Sequence, residues 1–341
     1  MARIAALPAL VFILLLAASA SAQDAPPASP MAADIVEVEI DEWEVPWPMT
    51  RPRDPYVDGQ GRVWFVGQVD DYLAYLDPED GEFTRFDLAP GTGPHNLIVA
   101  PDGIVWYAGN RMAHIGRLDP ATGDIIEFEM PDPAARDPHT LVFDSDGDIW
   151  FTVQSGNFVG HLTTESGEVR LVPVPTPSAR PYGIVVGPDD RPWIAEFGSY
   201  KIATVDPVSF ELVEYELPRE DARPRRLGLT GDGAIWYVDY AGGFLGRLDP
   251  DSGDIDEWQM PGGSRAGGYG MAVDDEDRLW FVESIIRPNR LVGYDPAVGE
   301  FFSLTEIPSG GGVVRHMYFH APTREIWFGT DTNNIGRARV P

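Results

Sequence analysis

The sequence predicts an all-β chain folded as a seven-bladed β-propeller, and three observations predict it. A tryptophan set in a short apolar run recurs at Trp64, Trp106, Trp150, Trp193, Trp236, Trp280 and Trp327, at spacings of 42, 44, 43, 43, 44 and 47 residues. A period in the forties is that of one four-stranded blade. Within a period the runs are strand-length and bounded by Gly, Asp or Pro, as in "HTLVFD", "DIWFTV", "FVGHLT" and "EVRLVPVP" of the third. Finally, the last period stops at "NIGRARVP" without an outer strand, while "VEVEIDEWEVP" near the start has an outer strand's pattern and no blade. Residues 36–46 are therefore expected to complete the seventh blade and close the ring, leaving no free edge between its ends.

From the N-terminus, residues 1–22 carry one Arg, a short apolar stretch and Ala20-Ser21-Ala22, which read as a secretory signal peptide. Residues 23–35 read as a flexible Pro- and Ala-rich leader, and residues 36–341 as a single propeller domain. The third strand and its turn recur as "HIGRLDPATGD" and "FLGRLDPDSGD", and the outermost strand as "IIEFEMP" and "IDEWQMP". An exported chain is expected, periplasmic or secreted, with no membrane span and monomeric.

There is no cysteine, so the core must hold by packing alone. With 54 Asp and Glu against 25 Lys and Arg, the formal charge is -29. Such a surface repels phosphate backbones and anionic lipid, which argues against nucleic acid as a partner. The "DSDG" turn resembles a calcium loop only superficially, because it lacks the length and the closing Glu of an EF-hand. No G-x-S-x-G, C-x-x-C, H-E-x-x-H or phosphate-loop motif occurs.

Pairing Phe143 with Asp148 across the "DSDG" turn sets His139 opposite Thr152 and Asp137 opposite Gln154. Carried through every repeat, this count gathers the position eleven before each Trp at one mouth of the ring: Arg53, His95, His139, Tyr182, Arg225, Tyr269 and His316. Three or four residues after each Trp stand Gln68, Asn110, Gln154, Glu196, Asp239, Glu283 and Asp331. Convergent polar groups at a channel mouth make a candidate ligand site, with Arg53, Tyr182, Arg225, Glu196 and Glu283 as ligand-binding residues. Solvation and hydrogen bonding between blades would also account for polar residues there.

The repeat Pro-(His/Tyr)-x-(Ile/Leu), a turn, I-W-F-x-E, I-G-R-L and an outer strand ending in Pro, as in "RPYGIVVGPDDRPWIAEF", resembles that of the virginiamycin B lyase (streptogramin lyase) family. The resemblance covers nearly all of residues 36–341. It implies a seven-bladed propeller that opens a cyclic depsipeptide by elimination, with magnesium and a histidine base. Matching repeats in chain order places Tyr269 at the family's first His, Val314 at its first acid, His316 at its base and Asp331 at its second acid. Rotating the ring instead places His95, Asp137, His139 and Gln154 in those four roles.

Two functions are thus expected of the mouth. One is metal-assisted carbon-oxygen lysis of a cyclic depsipeptide or lactone, with catalytic residues among His316, His139, His95 and Tyr269 and magnesium on Asp331, Asp137 or Gln154. The other is non-catalytic binding of a small molecule, a cyclic peptide or a partner.

Overall fold

Tryptophan at a fixed place in each repeat makes each repeat a blade. In the computed structural model, which describes residues 30–341, Trp64, Trp150, Trp236, Trp280 and Trp327 are among the largest fully buried side chains. Each packs across the gap to a neighbouring blade. Trp64 lies with Leu97, Val99 and Tyr107 of the second blade, and Trp327 of the last blade lies with Val57, Phe65 and Leu76 of the first. This apolar seam repeats around the ring and holds the sheets face to face.

The first blade shows the local rules. Its strands Pro52–Val57, Val63–Gly67, Tyr72–Leu76 and Phe83–Asp87 pair antiparallel in chain order from the axis outward. Asp58 opens the inner turn, accepting the Gln60 and Arg62 backbone N–H groups and the Trp64 indole N–H at 2.8 Å. The turn and the buried tryptophan thus share one carboxylate. In the third blade Asp144 accepts the Asp146 and Asp148 N–H groups, so "DSDG" is a backbone-capped turn. The glycine of the third strand is sterically required, because a Cβ at Gly160 would fall inside the Phe151 ring.

The seventh blade closes as expected. Its inner strands Val314–His320, Glu325–Thr330 and Asn334–Arg339 are completed by Glu39–Glu44, paired antiparallel with Asn334–Arg339. Trp43 stacks on Trp327 with ring centroids 5.5 Å apart, and Asn333 donates to the Val45 and Trp47 carbonyls.

The leader departs from expectation. Residues 31–35, read as tether, belong to a strand, Met31–Val36, that runs parallel to Glu300–Glu306 as a fifth strand of the sixth blade. Most of its side chains are exposed, so side-chain burial is not what places it. Backbone pairing places it, supported by Ser303 Oγ donating to the Val36 carbonyl at 2.7 Å and the Val38 N–H donating to Thr305 Oγ1 at 2.9 Å. The Pro-rich composition that suggested a tether ends before Met31. A strand therefore already runs five residues before the expected domain boundary at 36, and residues 31–44 clasp two blades, not one. The signal-peptide reading of residues 1–22 lies outside the described residues.

Among the described residues the only helix is a three-residue 3-10 turn at Gly263–Arg265, and no helix is long and apolar enough to cross a membrane.

Candidate functional site

One irregularity, repeated seven times, sets every axial side chain. In each inner hairpin the pairing beside the turn and the pairing at the far end are out of step by one residue. Phe143 faces Ile149 and Leu141 faces Phe151, whereas Pro138 faces Val153. The sequence count, which put Phe143 opposite Asp148, is one residue off beside the turn, and a bulge between Leu141 and Pro138 restores it at Pro138. A bulge re-aims side chains, here so that two consecutive residues of an inner strand reach groups near the axis. Arg53 with Asp54, His139 with Thr140, and Arg225 with Arg226 are such pairs.

The first member of each pair forms an outer ring. His95 and His139 lie with ring centroids 3.5 Å apart and planes tilted by 40°, and the His139 ring lies 4.1 Å from that of Tyr182. Tyr182 and Tyr269 meet hydroxyl to hydroxyl across the channel. Arg225 lies 3.6 Å over Tyr269 and donates to its hydroxyl at 2.9 Å. The second members form an inner layer. Asp54, at φ 51 and fully buried, accepts from Arg53 Nε at 2.9 Å, Arg226 Nη2 at 3.2 Å and Asn96 Nδ2 at 3.2 Å. Arg226 also donates to Thr140 Oγ1 and to the Arg315 carbonyl. One guanidinium from the fifth blade thus ties the first, third and seventh together and plugs the axis.

In the seventh blade the count fails. Its inner turn is one residue longer, with Phe319 facing Ile326 where other blades have five residues between such partners. Arg315, not His316, therefore takes the outer-ring place, and His316 drops into the inner layer beside Asp54 and Arg226. The acids also divide. Glu196, Asp239 and Glu283, three after Trp, are fully buried. There they tie loops: Glu196 accepts from Ser199, Asp239 from Arg219 and the Arg223 N–H, and Glu283 from Arg290 Nε and the Gly262 N–H. Four after Trp is the mouth position. There Gln68 accepts from Arg53 and Asn110 donates to the Pro138 carbonyl, while Phe197 and Tyr240 flank Arg225 at 4.3 and 4.4 Å. Sequence reasoning missed these two aromatics, which holding the count at four would have found. It missed Asp54, Thr140 and Arg226 because nothing in the strand pattern announces a bulge.

The electrostatics keep the imidazoles neutral. Burial lowers His95 and His139 well below the usual 6.5, with Arg53 and Arg226 adding to it. Burial and Arg226 bring His316 to about 4 against the pull of Asp54. Burial pushes the Tyr182 phenol up, but Arg225, Arg53 and Arg226 outweigh it and bring it down to about 8. Because the unfolded chain binds more protons than the folded one between the folded and unfolded histidine values, stability must rise with pH there. We expect the melting temperature to fall as pH drops from 6.5 towards 4. The fall should be shallower in His316→Asn, whose share is at most about 3 kcal/mol. Equal slopes in calorimetric scans of the two proteins would contradict this.

The residues present do not fit a magnesium site. Asp331 is held in a two-point pair by Arg315, with Nη2–Oδ2 at 2.7 Å, and lies 3.8 Å from Arg51. Val314 is buried in the core. Asp137 accepts the Ser155 N–H at 2.7 Å and the Gly156 N–H at 3.1 Å, so it caps a turn, and Gln154 beside it is uncharged. Among the described residues no three His, Cys, Asp or Glu side chains are grouped to hold a metal ion.

A seven-bladed propeller whose axis carries histidines, tyrosines and arginines over an ion-paired plug is the class that fold and site define. The model of the virginiamycin B lyase family matches residues 31–291 and 132–340, and the chain belongs to that family. Among solved structures it is similar to selenomethionine-substituted virginiamycin B lyase from Staphylococcus aureus, at 25% identity and a TM-score of 0.81 over 89% of this chain and 100% of that one. A catalytically inactive histidine-to-alanine variant of the S. aureus enzyme, solved with quinupristin, gives 25% identity and a TM-score of 0.79 over the same shares. A hydrazine synthase from Kuenenia stuttgartiensis, at 14% identity and a TM-score of 0.71 over 87% of this chain and 97% of that one, shares the fold. A search of the curated proteins finds no match.

Proposed function

We propose that this chain is an exported, ligand-binding propeller of its family, taking a small carbonyl-rich molecule or a cyclic peptide at the outer ring. The observation that carries this reading is a set of unspent buried donors there. Arg53 Nη2 and Arg225 Nε have no partner, and a buried donor left unpaired costs about 1–3 kcal/mol that a ligand oxygen would recover. The carboxylates that the family resemblance would give to a metal are meanwhile engaged by Arg315 and by backbone N–H groups. The relative solved with quinupristin supports ligand binding by this fold.

One observation favours a second reading, carbon-oxygen lysis without the metal. Elimination needs an unprotonated base, and the three axial histidines are held neutral, though so large a lowering also makes each a weaker base than a free imidazole. In that reading His139, which stands in the outer ring, takes the proton next to a carbonyl. The electron pair left behind forms a carbon-carbon double bond as the bond to the leaving oxygen breaks. Arg53 supports the charge that gathers on the carbonyl oxygen.

Titration of the mature protein with quinupristin, with mass analysis of the ligand afterwards, separates the readings. We expect saturable binding with the ligand recovered intact. We also expect no rise in melting temperature with millimolar magnesium in either wild type or Asp331→Ala. Magnesium-dependent opening that disappears in His316→Ala would replace the binding reading by the inherited lyase. The protein recovered from the exported fraction should begin at Gln23.

A further inference from the structure

The ion-paired plug divides the channel in two, and the half on the turn side of it is a cavity of ≈ 430 Å³. We infer that this half is a second ligand site, separate from the outer ring, for an uncharged apolar molecule carrying one carbonyl oxygen. Three observations specify that chemistry.

The walls come first. All seven inner strands contribute, and the lining includes the buried Ile98 and the half-buried Val142, Val185, Leu229 and Val273. Small-molecule pockets are typically roughly 300–1,000 Å³ with such apolar linings and few polar groups. The hydroxyls of Tyr56 and Tyr318 stand towards the turns; the other polar groups lie at the inner end and are nearly all spent. Asn96 donates to Asp54 and accepts the Leu141 N–H, Thr140 accepts from Arg226, and Arg226 uses Nε and both terminal nitrogens. His316, which also lines the cavity, is the exception: its Nδ1 has no partner. His316 Nδ1 thus leaves one unspent polar contact at the inner end of an apolar tube.

Charge then selects against ions. At the open end Asp58, Asp144, Asp189 and Asp232 are paired with Arg62, His161, Arg191 and Arg247, but the seven turns between the inner and second strands together hold twelve Asp and Glu against four Arg, a net negative rim that a carboxylate would have to pass. At the inner end Arg53 and Arg226 together face the single carboxylate of Asp54, an excess of positive charge that repels an ammonium head. A neutral ester, lactone or amide meets neither penalty. A neighbouring cavity of ≈ 780 Å³ between the first three blades shares Tyr56 and Phe143 as a wall with the channel.

The test is calorimetric titration of the mature protein with γ-decalactone, decanoate and decyltrimethylammonium. The lactone should bind at least tenfold more tightly than either ion. Val185→Trp, which fills the tube, should weaken lactone binding at least tenfold. Val142→Phe is the milder filler if the first variant does not fold, and should weaken it several-fold. Tyr240→Ala, at the opposite mouth, should leave lactone affinity unchanged, so this inference can stand or fall without the outer-ring reading. Absence of lactone binding at millimolar concentration, equal affinity for the three probes, or lactone affinity insensitive to both fillers would each overturn it.

Discussion

A chain beginning at Trp47 should melt far below one beginning at Gln23, or fail to fold. It lacks Glu39–Glu44 and with it the outer strand of the seventh blade. Burying one large apolar side chain is worth about 1.5–3 kcal/mol, so losing Val38, Trp43 and Val45 removes about 5–8 kcal/mol, comparable with a total margin of about 5–15 kcal/mol. For a chain of this size that is a drop of roughly 10–25 °C. Removing only the residues before Glu37 deletes the mostly exposed parallel strand on the sixth blade and should cost about 2 kcal/mol or less by the same reasoning. Equal melting temperatures for the Gln23 start and the Trp47 start would rule out the closure.

Removing Arg226 should have the next largest effect. Arg226→Met leaves Asp54 buried with Arg53 as its only charged partner and strips donors from Thr140 and the Arg315 carbonyl. Breaking a buried ion pair from one side costs about 3–5 kcal/mol. The double variant with Asp54→Asn should recover part of that loss, because the uncompensated charge is gone. The pH dependence follows with a definite sign. Burial alone would raise the Asp54 carboxyl above 3.8, but Arg53 and Arg226 hold it well below. Its contribution is therefore complete above about pH 4 and lost as pH falls through the depressed folded value. Chemical denaturation of the three proteins at pH 7 and pH 3 tests this. Arg226→Met should lose less than wild type on acidification, and an equal loss would show that Arg226 does not hold the carboxylate down.

The fold was legible because its signals are local and repeated. A tryptophan every forty-odd residues, Asp-Gly turns and alternating runs each report on their own neighbourhood, and the orphan "VEVEIDEWEVP" could be matched to a missing partner by elimination. The site was legible only in composition. His95, His139, Tyr182, Arg225 and Tyr269 do meet at the axis, as counting from tryptophan predicts. His316 does not stand among them, because one extra turn residue at 320–325 shifts the seventh register. Strand counting assumes an unbroken ladder, and a bulge leaves no mark in residue type. Asp54 and Arg226 are therefore invisible in sequence, although their ion pair crosses the ring. Asp331 and Asp137 were right about where carboxylates lie and wrong about what they face, since a side chain's partner depends on neighbours brought in from other elements.

The double clasp at the N-terminus also has a consequence in time. Synthesis delivers residues 31–44 first, yet their partners are Glu300–Glu306 and Asn334–Arg339, which come last. Early blades can form from contacts within one repeat, but the oldest part of the chain must stay unpaired until the youngest is released. Its apolar Trp43 and its bare backbone are exposed for that whole interval, which is when such surfaces recruit wrong partners. Closure is then a single encounter between distant chain ends, the slowest kind of contact to make, and misassembly during production should concentrate in the interval before the last fifteen residues emerge.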